Sequence, residues 1–239
     1  MSQALVIAHR GASAHFPEHS RAALLGALDQ GAHGVEVDLR LCADGRLLLH
    51  HDATLKRCCG DSRPVSAIPS GERARLNACH RRPDLPPEAP LLLEEVLELL
   101  PSTLTLFLEL KEGPEQLPAL KRALGKRREA LILISFNGQT LQAAGALLPG
   151  LPRLWLRGGA RERTRSTQQG WLAWCKMNGL QGLDVEAPQA RGTLAQECEL
   201  AGLHLGAWTV DEAEVARSLQ EKGVRWICTN RPAEILAAL

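Results

Sequence analysis

Short apolar segments alternate with helical patterns along almost the whole chain of 239 residues. The apolar segments are rich in Val, Ile and Leu, which is typical of buried strands in a parallel sheet. The stretches between them repeat apolar residues every three or four positions, which is typical of amphipathic helices. The pattern predicts strands at 4–8, 35–41, 104–110, 130–136, 153–156, 183–186, 204–210 and 226–229, and helices at 20–30, 92–100, 115–127, 139–148, 167–177, 193–201, 211–222 and 233–239.

Eight units of a strand followed by a helix predict a parallel sheet covered by helices. A (β/α)₈ TIM barrel closes such a sheet after eight units, and a chain of 239 residues suits it. A doubly wound open sheet is the alternative. It is disfavoured because the chain has neither GxGxxG between a strand and a helix nor GxxxxGK[ST], the phosphate-binding signatures of nucleotide-binding sheets.

Two features interrupt the alternation after the second strand. Residues 46–51 form a further short strand, which the Asp44–Gly45 turn joins to the second strand as a hairpin. Residues 53–90 then show little periodicity and are rich in Pro, Arg, Cys and Ser. We interpret 53–90 as an insertion within one domain that spans 1–239, rather than as a second domain.

Composition and charge argue against several kinds of partner. The formal net charge is +1, so neither nucleic acid nor an acidic membrane surface is expected as a partner. Three glutamates interrupt the richest apolar stretch, 91–100, so no membrane insertion is expected. Seven cysteines without CxxC spacing indicate reduced thiols, and the first residues lack the pattern of a signal peptide. Both observations predict a cytoplasmic location.

Side chains that carry chemistry gather where the first two predicted strands end. His9 and Arg10 follow the first strand. Glu36 and Asp38 lie two positions apart in the second strand, so both carboxylates face the same side of the sheet. Because the active sites of parallel barrels lie at the carboxyl ends of the strands, we expect these four side chains at one mouth of the barrel.

The hairpin strand and the third barrel strand add to this group. The third strand ends in Glu109-Leu110-Lys111, again with two polar groups two positions apart. The hairpin strand ends in His50-His51-Asp52. Alternation along that strand leaves open which of the two histidines faces the site.

The three carboxylates of Glu36, Asp38 and Glu109 are costly inside buried strands unless a cation neutralises them. Arg10 and Lys111 supply part of that positive charge, and a divalent ion would supply more. Ligands that are all oxygens favour Mg²⁺ or Ca²⁺ over Zn²⁺. Histidines beside such an ion can act as general acid and general base, while the two cations bind an anion. These groups together predict metal-assisted chemistry on a phosphoryl group.

The chain resembles the glycerophosphodiester phosphodiesterases in five segments: HRGASAHFPEHS at 9–20, GVEVDLRLCADGRLLLHHD at 34–52, LELK at 108–111, WTV at 208–210 and TNRP at 229–232. The resemblance covers essentially the whole chain. It implies a (β/α)₈ barrel that uses a divalent metal to hydrolyse glycerophosphodiesters, such as glycerophosphocholine or glycerophosphoethanolamine, to sn-glycerol 3-phosphate and an alcohol. It also implies that the insertion caps the active site and that the partner is a small-molecule substrate.

The resemblance implies a role for each of nine residues. The acid/base pair is His9 and His51, the phosphate contacts are Arg10 and Lys111, the metal ligands are Glu36, Asp38 and Glu109, and further residues of the substrate pocket are Glu18 and Trp208. Two alternatives stay open at this stage. Either histidine is the acid, and the attacking hydroxyl belongs either to water or to carbon 2 of the glycerol.

Two positions depart from the family's usual pattern. His19 stands where the family usually has asparagine after Pro-Glu, and Asn230 stands where it usually has aspartate after Thr229. Neither position belongs to the acid/base pair or to the ligand set. We therefore expect both changes to have structural consequences without abolishing activity.

Two other functions fit the same barrel. A relative of phospholipases C or D would share the paired histidines and the metal, but such enzymes often need an apolar rim that faces a membrane. The chain has no such stretch, with only three Phe and no Tyr, so a soluble substrate is preferred. A catalytically inactive barrel that binds phosphoesters would be expected to have lost a histidine or a ligand, and none is missing here.

Overall fold

The computed structural model describes residues 3–159 and 164–239. Their strands form one sheet. The strands are β1 (Leu5–His9), β2 (Gly34–Leu41), β3 (Leu47–Leu49), β4 (Thr105–Leu110), β5 (Leu131–Ser135), β6 (Arg153–Arg157), β7 (Gly182–Glu186), β8 (His204–Trp208) and β9 (Trp226–Thr229). Each strand predicted from the apolar pattern is present, with ends shifted by at most two residues.

The sheet closes into an eight-stranded parallel barrel. The strands follow the order β1-β9-β8-β7-β6-β5-β4-β2, and β1 pairs with β2 to complete the ring. All of these pairings are parallel. Strand β3 lies outside the ring and pairs antiparallel with β2. The predicted (β/α)₈ barrel with an additional hairpin strand is therefore confirmed.

Helices connect the strands and cover the outside of the barrel. They are α1 (Arg21–Asp29), α2 (Lys56–Cys59), α3 (Leu93–Leu99), α4 (Leu117–Leu124), α5 (Gly138–Leu147), α6 (Arg165–Met177), α7 (Ala187–Ala190), α8 (Leu194–Leu200), α9 (Ala213–Glu221) and α10 (Pro232–Ala238). Ser20 caps α1, because its side chain accepts a hydrogen bond from the backbone N–H of Ala23. In the described parts of the chain, every helix is too short or too polar to cross a membrane.

The predicted helix at 115–127 differs from the structure at both ends. A 3₁₀ turn, Pro114–Gln116, precedes α4, and α4 stops at Leu124. Gly125 follows with φ of +52° and ψ of −117°, a non-helical combination that glycine adopts without the steric penalty a side chain would bring. Residues 126–129 are all charged, and charged residues are compatible with the exposed end of a helix, so periodicity alone could not locate the helix end.

The barrel interior changes from apolar to acidic along its axis. Ile7, Phe107 and Trp226 belong to a buried cluster of side chains contributed by β1, β4, β5, β6 and β9. Two residues further along β1 and β4, the same inward face carries His9 and Glu109. Alternate residues of the strands pack against the helices in a second, larger apolar cluster. The polar groups are therefore confined to the carboxyl ends of the strands.

The insertion packs beside the hairpin strand. It contains α2 and two 3₁₀ turns, Val65–Ala67 and Ser70–Arg75. Apolar side chains of the insertion form a small separate cluster with residues in and near β3. The members of this cluster are Cys42, Leu48, Leu55, Val65, Ile68 and Leu92. This small core anchors the insertion next to the barrel mouth, where His51 lies.

The loop after β1 depends on a glycine. Gly11 has φ of +82°, and a Cβ atom built on it would lie 2.6 Å from the carbonyl carbon and oxygen of Ala23 in α1. Only a residue without a side chain therefore allows the loop that carries Arg10 to approach α1 so closely.

We predict that Gly11→Ala lowers the free energy of unfolding by roughly 2 kcal/mol or more, because it adds a backbone penalty and a steric clash. Chemical denaturation monitored by circular dichroism measures this difference. Gly71→Ala is the control, because a Cβ atom there meets nothing within 4 Å. Equal stability of the two variants would contradict this explanation.

Candidate active site

A pocket opens at the carboxyl ends of the barrel strands. One wall is polar and carries the predicted chemistry, and the other wall is apolar and partly aromatic. Its lining residues are His9, Arg10, Glu36, His51, Glu109, Lys111, Ile134, Phe136, Leu156, Asp184, Trp208 and Cys228. Seven of the nine residues proposed from the sequence thus line this pocket. The other two, Asp38 and Glu18, each contact Arg10, which lines it.

The three predicted metal ligands converge beside this pocket. Glu36, Asp38 and Glu109 are all buried, and each offers a carboxylate oxygen that lies within 4.8 Å of an oxygen of the other two. Strand register explains the convergence, because Asp38 in β2 is the direct partner of Glu109 in β4. Glu36 lies two residues before Asp38 on the same inward face.

The carboxylates repel one another. Burial, followed by repulsion from Asp38 and Glu109, raises the pKa of Glu36 well above its usual value. The same two causes, burial and repulsion from Asp38, raise the pKa of Glu109 to about 7. Burial also opposes ionisation of Asp38, but His19, Lys111 and Arg10 outweigh it and hold its pKa well below the ordinary range. A negative charge is therefore fixed on Asp38, while its two neighbours ionise with difficulty.

The carboxylate cluster fits a divalent cation. Oε1 of Glu36 and both carboxylate oxygens of Asp38 are buried without a hydrogen-bond partner. Buried oxygens without partners are energetically costly, and a cation that coordinates them would remove that cost. The donor set consists of oxygens alone, which suits a hard cation such as Mg²⁺ or Ca²⁺.

Arg10 and Lys111 flank the carboxylates. Nζ of Lys111 donates a hydrogen bond to Oε1 of Glu109 over 2.7 Å and lies 3.0 Å from Oδ1 of Asp38. Nε of Arg10 lies 3.1 Å from Oδ2 of Asp38. Neither contact with Asp38 has the alignment of a hydrogen bond. The two cations therefore neutralise the cluster by proximity and leave the oxygens of Asp38 available to a ligand.

A chain of hydrogen bonds fixes the ring of His9. The hydroxyl of Thr229 donates to the carboxylate of Asp211, because a carboxylate only accepts hydrogen bonds. The same hydroxyl oxygen accepts a hydrogen bond from the backbone N–H of Arg231. The amide Nδ2 of Asn230 also donates to Asp211, over 2.7 Å. Oδ1 of Asn230 consequently faces His9 and accepts a hydrogen bond from Nδ1 over 2.8 Å. His9 is thereby held with Nδ1 protonated.

The other ring nitrogen of His9 faces the carboxylates. Nε2 lies 4.0 Å from Oε2 of Glu36. Burial, followed by the charge of Arg10, lowers the pKa of His9 to about 4. His9 is therefore neutral near pH 7, with an unprotonated Nε2 beside the pocket.

The second histidine of the pocket is His51. Its Nδ1 donates to Oδ1 of Asp52 over 2.7 Å, so a carboxylate stands behind this ring. Burial lowers the pKa of His51, while Asp38 and Asp52 oppose that effect. The neighbouring His50 is buried outside the pocket lining, where Nε2 donates to the carbonyl oxygen of Thr54. The structure thus brings His51 rather than His50 to the pocket.

Glu18 and Trp208 occupy different positions. Both carboxylate oxygens of Glu18 pair with arginines, Oε1 with Arg10 and Arg57 and Oε2 with Arg57. Trp208 lines the apolar wall, where it packs edge-to-face on Phe136 at a ring separation of 5.7 Å. Glu18 therefore holds Arg10 and Arg57 in place and does not line the pocket, whereas Trp208 lines the pocket itself.

The two departures from the family pattern have structural explanations. His19 is buried and adopts φ of +61°, a left-handed conformation in which asparagine and histidine are both enriched. Its Nε2 lies 3.1 Å from the backbone nitrogen of Asp38 and 3.3 Å from Oδ2 of the same residue, so this ring supports the strand that carries the carboxylates. Asn230 accepts the hydrogen bond that orients His9, and its own amide group donates to the carboxylate of Asp211. The negative charge is therefore on Asp211, which does not contact His9 directly but is linked to it through Asn230.

Sequence analysis missed a fourth buried acid in the pocket, Asp184 of β7. Its side chain is 3% exposed, and its Oδ1 has no hydrogen-bond partner. Gly206 of β8 makes room for it, because a Cβ atom there would lie 2.6 Å from that oxygen. Burial, with a smaller contribution from Glu109, raises the pKa of Asp184 to about 8. A charged residue inside a buried strand was the signal that could have revealed it.

Asp184 makes folding stability depend on pH. Its pKa of about 8 in the folded state exceeds the value of about 4 expected in the unfolded chain. Between these values the unfolded state has lost a proton that the folded state retains. Stability from this group is therefore fully present below pH 4 and is lost as the pH rises through 8.

We predict that Asp184→Asn gains stability relative to wild type as the pH rises from 5 to 8, by roughly 2–4 kcal/mol. Denaturation with guanidinium in the presence of a chelator, at both pH values, measures the change. A stability difference that is the same at pH 5 and pH 8 would show that Asp184 is already ionised in the folded protein.

Comparisons with known proteins identify the family. A model of the glycerophosphoryl diester phosphodiesterase family matches residues 9–234. A probable glycerophosphodiester phosphodiesterase 1 of Mycobacterium tuberculosis is 31% identical, and the match covers 98% of this chain and 92% of that protein. The resemblance seen in the sequence segments is thereby confirmed.

Two solved structures superpose over nearly their full length. A phosphodiesterase of Oleispira antarctica, in complex with the product sn-glycerol-3-phosphate, has a TM-score of 0.89 at 26% identity, covering 99% of this chain and 96% of that one. A glycerophosphodiester phosphodiesterase of Agrobacterium tumefaciens has a TM-score of 0.81 at 27% identity, covering 98% of both chains. With the family model matching nearly the whole barrel, this chain belongs to the glycerophosphoryl diester phosphodiesterase family and is an enzyme of that family.

Proposed function

We propose that this protein hydrolyses small glycerophosphodiesters to sn-glycerol 3-phosphate and an alcohol, with a divalent cation held by Glu36, Asp38 and Glu109. The observation that carries the proposal is the convergence of these three buried carboxylates with two histidines at one pocket. The product bound to the Oleispira antarctica relative supports the choice of substrate class. Small substrates such as glycerophosphocholine and glycerophosphoethanolamine are the proposed partners.

The cation and the basic side chains have complementary tasks. A bound Mg²⁺ or Ca²⁺ supplies Lewis-acid stabilisation of negative charge on the phosphoryl oxygens. Arg10 and Lys111, fixed beside the carboxylates, add positive charge where the phosphate enters. These two residues bind the anion in the ground state and stabilise the greater charge of the transition state.

The partners of the two histidines suggest different roles for them. The neutral amide of Asn230 stands behind His9, which keeps Nε2 unprotonated and ready to accept a proton. His9 therefore acts as the general base on the attacking hydroxyl, which belongs to water or to carbon 2 of the glycerol. The carboxylate of Asp52 stands behind His51 and stabilises its protonated form. His51 therefore delivers the proton to the departing alcohol.

The apolar wall positions the rest of the substrate. Phe136, Leu156 and Trp208 line the pocket together with Glu36 and Glu109, and strand order places β6 and β8 across the ring from β1 and β4. Such a wall excludes water from one side of the phosphodiester and strengthens the electrostatic contacts on the other. The Phe136 side chain is 47% exposed, so this aromatic wall reaches the pocket entrance.

Release of sn-glycerol 3-phosphate from glycerophosphocholine is the direct test. We expect release with added Mg²⁺ or Ca²⁺, loss of release with EDTA, and recovery when the cation is restored, because the buried carboxylates need a counter-charge to bind a phosphate. An enzyme-coupled assay for the product measures the rate. Absence of release with either cation would instead support an inactive barrel that binds phosphoesters.

We predict that His9→Ala and His51→Ala each reduce kcat by roughly 10²- to 10⁴-fold, the usual contribution of a general acid or base. Both variants should retain the far-ultraviolet circular dichroism of the wild type. His15→Ala is the matched control, because His15 is exposed and lies outside the pocket lining. Activity within about threefold of wild type in either pocket variant would count against that histidine's role.

A further inference from the structure

An arginine of the insertion joins two carboxylates that belong to different sides of the site. Nε of Arg57, in α2, donates to Oδ2 of Asp52 over 2.7 Å. Nη1 and Nη2 of the same guanidinium donate to the two carboxylate oxygens of Glu18 over 2.6 and 2.7 Å. Asp52 follows the hairpin strand, and Glu18 belongs to the loop after β1. Arg57 thus fixes the distance between these two loops.

Each of these two carboxylates also accepts a hydrogen bond from a residue that lines the pocket. Asp52 accepts the hydrogen bond from Nδ1 of His51. Glu18 accepts a hydrogen bond from Nη1 of Arg10 over 3.2 Å, and Nε of Arg10 lies 3.1 Å from Oδ2 of Asp38. One guanidinium therefore links the proposed general acid to the proposed phosphate-binding arginine.

Only an arginine can make this set of contacts. Its planar guanidinium presents several N–H groups in fixed directions, so it can engage two carboxylates on two edges. The contacts favour the charged forms of all three groups. Hydrogen bonds from Arg57 are the largest cause that lowers the pKa of Asp52. Burial raises the pKa of Glu18, but the hydrogen bonds from Arg57 and the positive charges of His19, Arg10 and Arg57 together outweigh it and lower that pKa to about 2.

Other arginines of the insertion do not make a comparable bridge. Arg63 pairs with Asp61 and Glu72, both within the insertion. Arg82 pairs with Asp84, which is also within it. Arg63 therefore offers a natural comparison, because it too spans two carboxylates but has no contact with the pocket.

We propose that Arg57 is a positioning residue for catalysis, which acts through Asp52 on His51 and through Glu18 on Arg10. This inference rests on the proposed function. Its side chain is about one-third exposed, and ion pairs with that degree of exposure contribute little to folding stability. The main effect of Arg57 is therefore on the geometry of the site.

The test compares Arg57→Met with wild type on two glycerophosphodiesters. Glycerophosphocholine releases an alcohol that needs a proton, whereas the 4-nitrophenyl ester of sn-glycerol 3-phosphate releases a phenolate that leaves without one. We expect kcat for glycerophosphocholine to fall roughly 10- to 100-fold, in the range found when a supporting partner of a functional residue is removed. The loss on the nitrophenyl ester should be several times smaller, because its leaving group needs no proton from His51 and only the contribution that Arg57 makes through Glu18 and Arg10 is lost.

Two further variants make the result interpretable. Arg57→Lys keeps the charge but cannot bridge both carboxylates, so its kcat for glycerophosphocholine should lie between those of Arg57→Met and wild type, and this variant serves if Arg57→Met fails to fold. Arg63→Met is the matched control and should behave as wild type on both substrates.

An Arg57→Met enzyme as active as Arg63→Met would overturn the proposal. So would an equal loss on both substrates, because general loosening of the site predicts no dependence on the leaving group. Wild-type protein inactive on both substrates would instead refute the proposed function, which separates the two failures.

Discussion

The burial of three carboxylates at one end of the barrel is the constraint on which the site depends. A closed parallel barrel places alternate residues of every strand inside, where water does not reach. On β1 and β4 the inward residues are apolar until the carboxyl end, where His9 and Glu109 replace Ile7 and Phe107. Positive charge at that mouth must then neutralise the carboxylates, and this requirement explains why Arg10 and Lys111 both lie within ion-pair distance of Asp38.

The same constraint makes hydrogen-bond partners decisive. In a buried site, a neutral partner and a charged partner stabilise different protonation states of an otherwise identical ring. Nδ1 of His9 is hydrogen-bonded to the amide of Asn230, and Nδ1 of His51 is hydrogen-bonded to the carboxylate of Asp52. Asn230 and Asp52, which produce this asymmetry, lie outside the lining of the pocket that both histidines share.

Much of the fold and of the central site follows from sequence pattern. Strand periodicity located all eight barrel strands, because a buried parallel strand leaves a compact apolar run bounded by polar residues. Spacing of two residues placed Glu36 and Asp38 on one face, and the structure brings Glu109 beside them through strand register. Helix ends were less predictable, since the end of α4 depends on the backbone of Gly125 rather than on an apolar period.

The supporting contacts could not be predicted in the same way. Arg57 lies in a segment without periodicity, and its partners Glu18 and Asp52 are 39 and 5 residues away in the chain. Asp211 supports Asn230 from another loop, 19 residues away. Such pairs depend on how loops meet in space, which local pattern does not encode.

The hairpin strand β3 determines where His51 lies relative to His9. His9 is carried by a strand that is hydrogen-bonded on both sides within the ring, whereas His51 follows a strand of three residues that pairs with the ring on one side only. The spacing between the two imidazoles is therefore governed by an appendage and not by the closed ring. The small apolar cluster that includes Leu48, Leu55 and Ile68 packs at this appendage, so substitutions there would change the spacing of the two imidazoles and leave the pairing of the ring strands in place.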